Sequence, residues 1–160
     1  MQRTFTPFAL VLAAVSAACG ANNVRPLYVP FIDAVVDTIS APPDVVVDSL
    51  ATVVTLRGFE IARITASEGY LETKWFDLDA DRSGGTYTRH PDRVIRLRFF
   101  AELGRDSSTV LRSEAAYRPR LDPSLPERKA EAMVPIDHPG DSMLQNVLDQ
   151  LRPAASRVEP

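Results

Sequence analysis

The chain has one cysteine and two histidines, and each scarcity excludes something. A single cysteine cannot form an intramolecular disulfide, so the fold must be held by its core. His90 and His138 both precede prolines and read as loop residues, with no spacing that would pair them for metal binding or proton transfer. The sequence also lacks a Gly-x-Ser-x-Gly elbow, a phosphate loop, a dinucleotide fingerprint and a cysteine cluster. The expectation is therefore a protein that is not an enzyme. A net charge of −3 gives no electrostatic case for binding nucleic acid. No apolar run approaches the roughly 20 residues that a membrane-spanning helix requires.

What is present starts at the amino terminus. Arg3 is followed by an apolar stretch from Phe8 to Val15, then by Ser16, Ala17 and Ala18, and then by Cys19. A basic start, a short apolar centre and a small-residue end are the layout of a secretory signal. Ala17, Ala18, Cys19 and Gly20 resemble the lipobox of bacterial lipoproteins, with Ser16 in the place where leucine is most common. The resemblance implies that Cys19 becomes residue one of the mature protein and carries lipid. Two or more acyl chains anchor a protein stably where one is marginal. Gly20 stands where retained inner-membrane lipoproteins usually carry Asp, which favours the outer membrane and its periplasmic side. Ordinary cleavage after Ala18 would instead leave an exposed thiol in an oxidising compartment, so lipidation is the preferred reading.

Without the leader, about 140 residues remain, enough for one domain with a real core. At 45% hydrophobic and 24% charged, the composition is that of a globular protein. The expected organisation is a signal peptide over 1–18, a lipidated Cys19 with a tether over 19–31, a single domain over 32–153 and a flexible end over 154–160. Pro26 and Pro30 forbid regular helix in the tether, and about ten extended residues would reach roughly 30 Å.

Within the domain, "DAVVDTIS" suits a strand. "DVVVDSLATVVTLRG" spaces its apolar residues at three and four between Pro42–Pro43 and Gly58, which predicts a helix. The period then changes to two. "FEIARITA" and "YLETKWFDL" form one hairpin around Gly69, and "RVIRLRFFAEL" and "STVLRSEAAYR" form another around Gly104. "DSMLQNVLDQL" closes the chain as an amphipathic helix. The sum is an α+β domain: strand, helix, four antiparallel strands, helix, with the helices on one face of the sheet. The run "PPDVVVDSLATVVTLRGFEIARITASEGYLETKWF" resembles the helix-grip repeats of BamC, the outer-membrane lipoprotein of the barrel-assembly machinery. This resemblance, over under a third of the chain, implies a helix-grip-like fold and an accessory role in envelope assembly, without implying the same partner.

Three candidate sites follow. Alternation and hairpin pairing put Arg96, Arg98, Arg112 and Arg118 on one sheet face, a basic stripe that could meet an acidic partner or lipid phosphates. The competing and preferred reading is a solvated face neutralised by Glu72, Lys74 and Glu114. Asp77, Asp79 and Asp81 occupy positions one, three and five of a calcium loop. Arg82 and Thr88 fill the positions that need Gly and Glu, so an acidic connection is preferred and no cofactor is expected beyond this possible calcium. Finally, a carrier or sensor of lipid, the alternative to an envelope-protein partner, predicts a cavity between helices and sheet lined by Leu50, Val54, Leu97 and Phe99.

Overall fold

The computed structural model describes residues 25–84, 90–120 and 122–155. The leader and Cys19 lie outside the described residues. The elements in order are β1 (Val35–Ile39), α1 (Pro43–Leu56), β2 (Ile61–Thr65), β3 (Tyr70–Thr73), β4 (Phe76–Asp77), β5 (Arg82–Ser83), β6 (Val94–Leu103), β7 (Thr109–Tyr117), α2 (Glu127–Ala130), β8 (Ala132–Met133) and α3 (Pro139–Ala155). The domain is α+β, as the change of period along the sequence requires.

Pro43 starts α1 with its ring-fixed φ, and Asp44 lies in the first turn where the helix dipole favours a carboxylate. Val46, Val47, Leu50, Val53 and Val54 form its buried stripe. The helix ends in a Schellman turn: Phe59 donates to the Val54 carbonyl at 3.0 Å and Gly58 to that of Thr55 at 3.0 Å. Gly58 takes the left-handed φ of +82° that this turn needs.

The main sheet runs β1-β7-β6-β3-β2, and every pairing is antiparallel. β6 and β7 form its spine, with Leu97 opposite Ala115 and Arg98 opposite Glu114. Gly69 closes the β2–β3 connection with its carbonyl accepting from Ala101 at 2.7 Å. A Cβ there would sit 1.9 Å from the Ala101 oxygen, so no larger residue fits. β3 and β4 run along β6 in succession, Glu72 opposite Arg98 and Phe76 opposite Ile95. One extra residue therefore bulges between them. The Thr73 hydroxyl accepts the Leu97 N–H at 3.0 Å across the gap.

Alternation divides the sheet into two faces. Ile95, Leu97, Phe99, Ala101, Leu111, Ala115 and Leu71 join the stripes of α1 and α3 in one apolar core. His138 starts α3: its Nδ1 accepts from the Gly140 N–H at 3.0 Å, leaving Nε2–H to donate to the Asp92 carbonyl at 2.6 Å. α3 runs on to Ala155, which is buried in the core, so the domain extends past residue 153, where the sequence was expected to turn flexible.

Candidate functional site

The opposite face carries Arg96, Arg98 and Phe100 from β6, Glu114 from β7, and Tyr70 and Glu72 from β3. The four arginines of the sequence reading lie on this face as alternation requires, but the face is not an exposed basic stripe. It is covered by two segments, one that the sequence reading left as tether and one, residues 127–131, to which it assigned no element. Residues 25–31 lie across it as a strap, and the single turn of α2 with Glu131 closes beside it.

Arg98 is fully buried, as are the side chains of Glu114 and Glu131. Its Nε donates to Glu72 at 2.8 Å, and its two terminal nitrogens fork onto Glu131 at 2.7 and 2.9 Å. Burial alone would lower the pKa of Arg98; the hydrogen bonds and charge of Glu131, with the charge of Glu72, reverse this and hold it above the ordinary arginine value. Arg98 is therefore a permanent cation inside the protein. Arg128 forks in the same way onto Glu114, at 2.8 Å on both oxygens. Arg96 donates to Glu72 and Glu127, each at 3.0 Å.

Trp75, held at the β3–β4 bulge, lies between two guanidiniums, with Arg96 4.3 Å and Arg118 4.5 Å from the ring centroid. Glu127 ties this cluster together, accepting from Arg96 at 3.0 Å and Arg118 at 2.5 Å. Partial burial pushes the Glu127 pKa up, but Arg96 and Arg118 outweigh it, and the carboxyl stays below the ordinary value. Burial, then the charge of Glu72, pushes the Tyr70 phenol well above its usual range, so it stays protonated.

The strap is tied into this network. The Phe31 N–H donates to Glu114 at 2.6 Å, and Arg128 donates to the Val29 carbonyl at 2.9 Å. The Arg128 guanidinium covers the Phe31 ring at 3.6 Å, and Tyr28 faces both Arg98 at 5.3 Å and Arg128 at 5.5 Å. At its start, the Arg25 side chain donates to the Glu68 carbonyl at 3.0 Å, and its backbone N–H to the Glu68 carboxylate at 2.8 Å. The expectation of a free tether over residues 19–31 is therefore corrected for 25–31: aromatic rings and backbone N–H groups find cations and a carboxylate on the sheet, so these residues fold.

Each arginine of the expected partner site now has a definite place. Arg98 offers nothing to a partner, Arg96 is nearly buried, and Arg118 is committed to Glu127 and Trp75. Arg112 stands apart with Glu102 at 2.5 Å near the surface. Lys74, expected to help neutralise this face, pairs instead with Glu60 at 2.6 Å. The sequence reading missed Tyr28, Phe31, Glu127, Arg128 and Glu131. The mixed charges of "ERKAE" and the aromatics of "YVPF" are the signals that could have found them.

The candidate calcium loop is a tight hairpin between β4 and β5. The Asp77 carboxylate accepts the N–H groups of Asp79 at 2.9 Å and Ala80 at 3.0 Å, and Asp79 pairs with Arg93 at 3.0 Å. Asp81 sits in the turn with φ of 51°. Thr88 lies outside the described residues. Among those described, no group of three or more Asp, Glu, His or Cys side chains is arranged to hold a metal ion.

Leu50, Val54, Leu97 and Phe99 all have zero exposure. A side chain bordering a void large enough for water would keep accessible surface, so no such cavity adjoins these four. The space that a carried ligand needs is absent there.

Both edges of the sheet are blunted. β1 is five residues long with Asp37 at its centre, whose carboxylate accepts the Thr38 N–H at 2.8 Å and pairs with Arg152 at 2.9 Å. β2 breaks register between Ile61 and Arg63. Charge and bulges are the devices that keep an edge from recruiting another strand. Among the described residues, no helix is long and apolar enough to cross a membrane. A scan against protein-family models finds no match, and neither does a search of curated proteins.

Proposed function

We propose that this protein is a non-enzymatic lipoprotein of the bacterial outer membrane, anchored through Cys19 on the periplasmic side, and an accessory or assembly module for another envelope protein. The single observation that carries this reading is the run from Arg3 to Gly20, with its basic start, short apolar centre and small residues before the only cysteine. The ordered domain starts close behind that cysteine, which suits a module held near a surface. The ionic face is spent internally and the strand edges are blunted. A protein partner therefore binds on exposed side chains such as Leu56 and Ile136, which are 77% and 87% accessible.

The test is metabolic labelling with an alkyne fatty acid, followed by mild-detergent capture of the tagged full-length protein from its own membranes. Wild type takes up label and brings down one envelope protein reproducibly, and the capture is lost in Leu56→Asp or Ile136→Asp. Cys19→Ala takes up none. An unlabelled wild-type protein would overturn the anchor, and capture of no partner would overturn the assembly role.

A further inference from the structure

Leu27, Val29 and Ile32 point away from the domain with 103%, 81% and 105% of their surface exposed. They project from the strap and the residue just past it, while Tyr28 and Phe31 between them face the sheet. This outward apolar row has no packing role in the domain. Its position in the chain suggests one: six peptide steps separate Cys19 from Arg25. At no more than about 3.6 Å per step, Arg25 stays within roughly 22 Å of Cys19.

We infer that the strap face is turned toward the phospholipid leaflet that holds the acyl chains, with Leu27, Val29 and Ile32 seated among its headgroups. This orientation rests on the proposed lipidation of Cys19. The contact is apolar and not electrostatic, because the cations around the strap are already matched. Arg25 is bound to Glu68 and lies 3.7 Å from Glu102, Arg112 pairs with Glu102, and Arg128 pairs with Glu114. Three side chains are too few to hold an untethered domain on a bilayer. They suffice to orient one whose anchor keeps it at high local concentration. α1 and α3, on the other face of the sheet, are then presented away from the membrane.

The only native cysteine is acylated under this reading, so one introduced cysteine takes a thiol-reactive fluorophore uniquely. Full-length lipidated Leu27→Cys, Val29→Cys and Leu56→Cys are labelled with bimane. They are reconstituted in phosphatidylethanolamine and phosphatidylglycerol vesicles containing a spin-labelled phospholipid. The mass of the amino-terminal peptide is read on the same samples. The expected result is quenching several-fold stronger at 27 and 29 than at 56, unchanged by high salt. Equal quenching at all three positions, or stronger quenching at 56, on an acylated protein would overturn the orientation and leave the anchor standing. An amino-terminal peptide without acyl chains would overturn both.

Discussion

The two faces of the sheet solve the same problem with opposite materials. On one, α1 and α3 cover leucines, valines and phenylalanines whose attraction has no direction and depends on the area removed from water. On the other, a strap and a single helical turn cover guanidiniums and carboxylates that must each find a partner at a given distance and angle. An apolar face tolerates many shapes of cover. An ionic face accepts only a cover that supplies its missing charges, and here Arg128 and Glu131 do so. The difference lies in error tolerance: an apolar residue lost from the first face leaves a hole, whereas a charge lost from the second leaves a buried ion.

The largest expected effect breaks the ionic face. Arg98→Met takes both forked hydrogen bonds from the buried carboxylate of Glu131 and should lower stability in urea unfolding by about 4 kcal/mol. Adding Glu131→Leu should restore much of that loss, because a pair removed together leaves less uncompensated charge. Next, Leu97→Ala on the helix face should cost about 3 kcal/mol by the same measurement. No second truncation should rescue it. Arg128→Ala should cost about 2 kcal/mol, since this arginine is close enough to solvent for water to replace part of what it gives Glu114. Its signature is local: amide exchange at Phe31 should accelerate far more than exchange in β6.

The smallest effect is a pH dependence. The Glu127 carboxyl titrates below its ordinary value of 4.5 when folded. It therefore contributes stability above the unfolded value, and that contribution is lost as pH falls through the folded one. Glu127→Gln should be less stable than wild type at pH 6, and the gap should narrow as pH falls below 4.5 in matched urea titrations.

How far the sequence speaks depends on whether a partner is near in the chain or far from it. α1 was legible because its signals are local: prolines before it, a glycine after it, and valines at helical spacing between. The two hairpins and the apolar side of the sheet were legible because strand alternation is also local. The fork between Arg98 and Glu131 joins residues 33 apart, and the Arg128 bond to the Val29 carbonyl joins residues 99 apart. No window of the sequence contains both ends of such a contact. "RLR" reads as solvent-facing charge, and only the fold reveals that its arginines are met by the glutamates of "ERKAE". The blunted edge at Asp37 was equally hidden, since a carboxylate within a strand looks the same whether it faces water or guards an N–H.

The strap also sets an order of events. Its residues lie near the start of the chain, while Arg128 and Glu131, which complete its seat, lie near the end. In a chain that emerges amino terminus first, the strap can meet Glu68, Arg98 and Glu114 before the last of its partners exists. Only when residues 128 to 131 have followed can Arg128 bind the Val29 carbonyl, and so this amino-terminal segment is among the last parts of the domain to reach its final form.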